Sequence, residues 1–485
     1  MALTFAQKEN IGLQYVLDAV QPASVYGVQM LRQLQPMGPA RKADLQRQLE
    51  QVDHFLQGQE ACRKQIDQLL RVFMRLKMVR GTVEKCAEAS LNEIELFEIK
   101  RFLLDCLEIK TLYDQISAHL ALEGIAFADT APALDLLDPS GNRVATFYLE
   151  DAYYPALQAL RQEKREVEAQ LRQLPSDALQ AQRSEIAGRE ELELQRIHSQ
   201  LSLALRPYLG AMLHNMQTIA QLDLIAQKAR LARRWGATRP ELTEKRLSLQ
   251  NMINPKVADL LESRKETFTP ISIELTPGAT VITGANMGGK SVALKTIALN
   301  ILLVHYGFFP FASAAQVPLF DDVHIISEDL ESVDRGLSSF GGEMVRFVKM
   351  CQAIRQGFHF ILLDEFARGT NPQEGAAIVR AVTQYLNGCN GISVLATHYD
   401  HVAQHAVAHY QVTGLKNVDW QALAGQIAAL GPDAGAHQIA RHMNYGLFRV
   451  VGRHDCPRDA LNICRLLGMA PEIVENAEKT MSANG

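Results

Sequence analysis

Residues 281–296, VITGANMGGKSVALKT, restrict this chain more than any other stretch. Gly284 to Ser291 has the spacing GxxxxGK[ST]. A β-branched run, ATVIT, precedes it and an apolar helical pattern, VALKTIALNILL, follows. In that order of strand, glycine-rich turn and helix, backbone N–H groups turn inward around phosphates. Gly284, Asn286, Gly288 and Gly289 belong to the turn. Lys290 brings positive charge to the β and γ phosphates of a nucleotide, and Ser291 offers a hydroxyl to Mg²⁺. The helix N-terminus beneath adds a favourable dipole.

Such a loop needs a sheet to stand on, and the sequence supplies one. From about residue 266, short β-branched runs alternate with helices: SIEL and ATVITG, then FILLDE, then ISVLATH. Strands alternating with helices predict an α/β domain with a parallel sheet covered on both faces. The run FHFILLDEF (358–366) ends in Asp364-Glu365. An aspartate there holds Mg²⁺ through water, and the adjacent glutamate orients and polarises an attacking water. The pair points to hydrolysis of ATP and not to binding alone. A third strand ends at Ala396-Thr397-His398, on the edge where such sheets bind ligands, so His398 is a candidate γ-phosphate sensor. His401, His405 and His409 follow at four-residue spacing. With no carboxylate or cysteine companion they read as a solvated helix face, not a metal site.

The first half differs in texture. Residues 1–265 are poor in glycine and rich in Leu, Gln, Arg and Glu, with apolar positions at helical spacing: Leu45, Leu49, Val52, Leu56, then Ile66, Leu69, Leu70, Phe73. A turn and a strand are expected in DPSGNRVATFYL (138–149), where Val144, Thr146 and Tyr148 alternate with their neighbours. Two polar helices follow between 151 and 205, with Leu160, Val167, Leu171 and Leu174 in the first and Leu194, Ile197 and Leu201 in the second. They form either a two-helix arm, roughly 30 Å long at the helical rise, or helices packed on the body of the protein.

The net charge of −5 gives no global basic signal, so nucleic-acid contact would require a local basic face. Seven cysteines without a CxxC pair read as reduced thiols of a cytoplasmic protein. The most apolar run, TIALNILLVHYGFFPF, is broken by Asn300, His305, Gly307 and Pro310, which predicts a buried helix and a turn, not a membrane span.

Taken together, the motifs resemble the MutS mismatch-repair ATPases of the ABC superfamily. TGANMGGKS is similar to that family's TGPNMGGKS loop, LLDEFARGTNPQEG (362–375) to its DE-x-G-R-G-T segment, and ATHY (396–399) to its histidine switch. RGLSSFGGEM (335–344) resembles its signature loop, S-T-F-x-x-E-M, and 459–481 its C-terminal helix-turn-helix dimerisation element. The resemblance implies an ABC-type P-loop NTPase domain over 266–485 behind a helical core and lever over 1–265. It implies a dimer with composite sites: Ser338 acts in trans, while Lys290, Ser291, Asp364, Glu365 and His398 act in cis. Phe268 stands where the family stacks an aromatic on adenine.

The departures are informative too. The mismatch-reading Phe-x-Glu of the family does not occur in this chain. GTNPQEG and SVALKT are closer to the second bacterial branch, whose Smr nuclease domain is not found by residue 485, so no nuclease activity is expected. Two clients remain open. One is DNA, which a basic stripe over 223–246 (Lys228, Arg230, Arg233, Arg234, Arg239, Lys245, Arg246) could contact. The other is an enzyme: short proteins resembling this one are associated with cobalamin-dependent aminomutases as reactivating factors.

Overall fold

The computed structural model describes residues 3–284, 289–327, 339–415, 418–427, 435, 438–439, 442–452 and 460–483. Packing divides the chain into two units, one of residues 1–20, 35–50 and 228–485, the other of 21–34 and 51–227.

The first unit holds two sheets. The strands are β1 (Glu241–Thr243), β2 (Leu247–Met252), β3 (Ile271–Leu275), β4 (Gly278–Thr283), β5 (Ala314–Pro318), β6 (Asp322–Ile326), β7 (His359–Asp364), β8 (Gly391–Ala396), β9 (Ala408–Gly414) and β10 (Asn444–Arg449). The larger sheet has the order β10-β9-β4-β8-β7-β6. All neighbours in it are parallel except β10, which runs antiparallel to β9. β4, β7 and β8 are buried at every position, so they read as unbroken apolar runs where a one-sided strand would alternate. The four strands expected after residue 266 all form, and the smaller sheet, β1-β5-β2-β3, adds a mainly antiparallel layer that the sequence reading did not anticipate.

The apolar run after the phosphate loop is the helix Lys290–His305, buried on nearly every side, and no described helix is long and apolar enough to cross a membrane. Its C-terminal end is tied down by named groups. The Met37 N–H donates to the His305 carbonyl at 2.7 Å, and Lys228 Nζ donates to the Tyr306 carbonyl at 3.0 Å.

Segments that composition assigned to the helical half therefore pack with the sheets. Asn254 Nδ2 donates to the Ile11 carbonyl at 3.2 Å, and Gln7 Nε2 donates to the Ile325 carbonyl at 3.4 Å. The packing boundary falls near residue 228, not at 266. A helical segment looks alike in sequence whether it covers a sheet or another helix.

The second unit is helical. Its centre is the helix Glu93–Leu120, started by an Asn92–Glu95 capping box and burying Leu96, Ile99, Leu103, Ile109 and Ile116. Asp223, fully buried, accepts the Ser24 N–H and Oγ–H, both at 2.7 Å, and the Ala23 N–H at 3.0 Å. The expected strand within 138–149 does not form. Val144 and Tyr148 are exposed and no neighbouring strand offers a ladder to them.

Helices Pro155–Gln173 and Asp177–Leu205 make an antiparallel hairpin, sealed by Leu157, Val167, Ile186 and Ile197. Leu174, expected in the seam, lies at the turn and is exposed. The far end of the second helix is rooted in this unit, where Ser202 Oγ accepts the Leu91 N–H at 2.9 Å.

Candidate active site

Three neighbouring strands, β4, β8 and β7, end on one edge, and each delivers a motif there. After β4 the chain needs backbone that side chains resist. Gly284 has φ +152°, and Gly289, at the start of the next helix, has φ +80°. A Cβ on Gly289 would lie 2.5 Å from the ring of Tyr445, so the close approach of β10 also demands glycine. Asn286 and Gly288 lie outside the described residues.

Lys290 opens the helix with its side chain 3% exposed. Its Nζ donates to the Gly284 carbonyl at 2.8 Å and stands 3.6 Å from Glu365 Oε1. The other oxygen of Glu365 accepts from Arg368 at 2.9 Å. β7 ends at Asp364, buried, and the Glu365 N–H continues the ladder to the Ala396 carbonyl at 3.0 Å. The Thr397 N–H does the same to Ile282 at 3.1 Å, which aligns the histidine segment with the other two ends. Asp364 shares the lining of a small cavity with Gln7, Asn10, Leu294, Lys295 and Ser327.

His398 is half-buried, its ring 4.5 Å from that of Tyr399. Burial pushes its pKa below the ordinary histidine value, Glu365 opposes that shift, and the charges of Lys290 and Arg368 add to it. The imidazole is therefore neutral at pH 7 and able to accept or donate one hydrogen bond.

The fit to a Mg²⁺-nucleotide rests on this cradle. Gly284 and Gly289, both at positive φ, stand at the strand end and the helix N-terminus, the buried Lys290 ammonium reaches back to Gly284, Ser291 is the next residue, and a buried aspartate closes β7 on the same edge. Ser338 lies outside the described residues, directly before the helix Ser339–Ala353. Phe268 is half-buried in the connection before β3. Tyr445 lies against Gly289, and its hydroxyl pKa is raised by burial and by the charge of Glu266, two residues from Phe268.

Sequence reasoning did not single out Tyr445 or Arg368. The arginine was legible inside the DE-x-x-R-G-T run. Tyr445 had no local signal, since strand order alone brings β10 to the loop.

Two other expectations are corrected. His401, His405 and His409 share no helix face: His401 has φ +64° before a 3₁₀ turn, and His409 sits on β9, 2.8 Å from Thr283 Oγ1. Among the described residues no cluster of three metal-ligating side chains occurs. The basic stripe is only partly free. Lys228 is buried, Arg234 pairs with Asp259, Arg239 with Glu50 and Arg246 with Glu274. Spacing showed the charges but not the acids, which come from distant segments. The hairpin is likewise neutralised from within, by Lys164–Glu190, Arg183–Glu168 and Arg189–Glu163.

Residues 280–482 match the family model of MutS domain V. Over 301 residues the chain is 29% identical to a protein named Endonuclease MutS2 from Caldanaerobacter subterraneus subsp. tengcongensis, a match covering 61% of this chain and 35% of that protein. The proteins of the same name from Symbiobacterium thermophilum and Geobacillus sp. (strain WCH70) are each 30% identical, over 61% and 63% of this chain and 35% and 36% of their own length. The chain thus spans little more than a third of the curated relatives it matches.

Proposed function

We propose, on the premise that the chain belongs to the MutS family, that it is an ATPase with an ABC-type composite site, working as a dimeric clamp on DNA. The observation that carries this reading is the meeting of Lys290, Glu365 and His398 at the ends of adjacent parallel strands. Lys290 neutralises charge on the β and γ phosphates. Glu365 orients a water and takes its proton, and neutral His398 hydrogen-bonds the γ-phosphate. Ser291 and Asp364 would hold Mg²⁺, which would offset the charge of the phosphate oxygens.

Ser338 completes the site from a partner copy. The helices Ala460–Leu466 and Pro471–Ala483 supply the dimerisation element, with Met469 between them and Ile473 on the second both exposed. Phe268 and Tyr445 are the aromatics available to the base. The endonuclease named for the relatives is not carried over, because the matched stretch is a minor part of each.

DNA is the client that family membership favours, by analogy. The second reading, an ATP-driven reactivating factor for a cobalamin-dependent aminomutase, gains from the internal pairing of the basic residues. Three of the seven basic positions are held by acids of the same unit, which lessens the positive charge a duplex would use.

The deciding experiment is steady-state ATP hydrolysis at fixed near-physiological salt, without DNA and with linear, branched or mismatched duplex. A change in rate with one DNA form supports the clamp. Hydrolysis indifferent to every DNA transfers the proposal to a protein client, and absence of hydrolysis refutes the ATPase itself.

A further inference from the structure

Glu365 sits in backbone that carboxylate residues seldom adopt. Its φ is +49° and that of Ala367 is +63°, so two non-glycine residues in the left-handed region bracket Phe366. Conformations of this kind persist only where the surroundings impose them. Here the surroundings are explicit. Phe366 is 2% exposed, its ring 4.9 Å from that of Phe347. Ala367 is fully buried, and both of its backbone polar groups are gripped by side chains. Its N–H donates to Glu343 Oε2 at 3.0 Å, and its carbonyl accepts from Tyr399 Oη at 3.1 Å.

The two gripping residues come from elements with their own parts in the site. Glu343 lies on the helix Ser339–Ala353, which begins directly after Ser338, and Tyr399 follows His398. Gly375 makes room for the grip. A Cβ there would fall 2.3 Å from Tyr399 Oη and 2.9 Å from the Ala367 carbonyl.

The geometry points to Glu343 and Tyr399 as positioning residues for hydrolysis: a clamp on Ala367 that holds Glu365 at the strand end and ties it to the signature helix and the histidine segment. The inference rests on the assignment of Glu365 as the base. Its consequence is that a shift of the signature helix, as when a partner docks there, moves the Ala367 N–H and with it the carboxylate two residues away. Tyr399 couples the same peptide to the segment that reads the γ-phosphate. Neither side chain need touch the nucleotide.

The test measures kcat, KM and the Kd for ATP in the full chain, with amide hydrogen exchange of the segment 364–371. The variants are Glu343→Ala, Glu343→Gln, Tyr399→Phe and Gly375→Ala. Losing one hydrogen bond that acts only on the reacting geometry lowers kcat by about tenfold and leaves Kd unchanged, and this is expected for Glu343→Ala, Tyr399→Phe and Gly375→Ala. Glu343→Gln keeps an acceptor for the Ala367 N–H and is expected to recover most of the rate. Exchange in 364–371 should quicken in the first three variants and stay slow in Glu343→Gln.

Wild-type kcat in both Glu343→Ala and Tyr399→Phe would overturn the positioning role. So would equal losses in Glu343→Ala and Glu343→Gln, which would assign the effect to charge. A rise in Kd matching the fall in kcat would indicate general damage to the fold, again against the proposal. A wild-type protein that does not hydrolyse ATP would refute the function proposed above, and with it any positioning of a base. The exchange rates would then still decide whether the clamp on Ala367 exists.

Discussion

Lys228 is an ammonium with almost nothing ionic around it. It is buried, its Nζ donates to the Tyr306 carbonyl at 3.0 Å and Gln48 Oε1 at 3.2 Å, and it lies 4.8 Å from the centre of the Phe308 ring. Burial lowers its pKa from the ordinary 10.5 to about 7. The sign follows from linkage. The folded state sheds this proton near pH 7, while the unfolded state keeps it until about 10.5, so stability rises with pH between those values. From pH 7 to pH 9 the buried amine passes from half-charged to neutral and the unfolded one stays charged. At about 1.4 kcal/mol per pKa unit that difference stabilises the wild type by about 2 kcal/mol.

Lys228→Met keeps the apolar stem and removes the titration. Urea unfolding of wild type and variant at both pH values isolates the effect, because every other titrating group cancels in the difference. The wild type should gain about 2 kcal/mol on the variant from pH 7 to pH 9. A wild-type-minus-variant difference that does not move with pH would refute the assignment of a buried amine that neutralises near pH 7.

Four further outcomes are expected. Glu365→Gln should lower kcat by at least about a hundredfold and accumulate an ATP-bound dimer on sizing, and a monomer under saturating ATP would count against the composite site. Because burial and the two neighbouring cations depress the His398 pKa in the nucleotide-free protein, kcat/KM should hold as pH falls to 6.5 and decline only below it, and His398→Gln should remove that limb; a limb at or above 6.5 would contradict a neutral His398. In the helical unit, Lys100 and Asp138 form a buried pair at 2.9 Å. Lys100→Met should cost about 3–5 kcal/mol in urea unfolding, whereas Lys100→Met with Asp138→Leu should recover most of it. Asp223→Ala strands the buried Ser24 N–H and the half-buried Ala23 N–H, and an unfolding loss below about 1 kcal/mol would show that they find other partners.

The strands that end in the glycine-rich turn, the acidic pair and the histidine segment were legible because each is a local pattern: β4, β7 and β8 lie where their β-branched runs lie. The buried helix after the loop was legible from its polar interruptions. What stayed hidden depends on distant partners. Tyr445 reaches Gly289 only because β10 borders β9 and β9 borders β4. Gln7 and Asn10 line the Asp364 cavity from the opposite end of the chain. The strand expected near Val144 failed for the converse reason, as its alternation was real but no neighbour was there to pair with it. The partial pairing of the basic stripe was hidden because Glu50, Asp259 and Glu274 cannot be assigned to Arg239, Arg234 and Arg246 by spacing.

The helix Lys290–His305 is buried along nearly its whole surface and is about 24 Å long at the helical rise. A helix with one wet face can bow or slide to absorb a push. One packed on all sides transmits it, since close-packed interiors hardly compress. A push at Lys290 is therefore carried along the axis to the far end, where the Met37 N–H and Lys228 Nζ hold the last carbonyls. The rod thus joins the glycine-rich turn at one end to a bearing at residues 37 and 228 at the other.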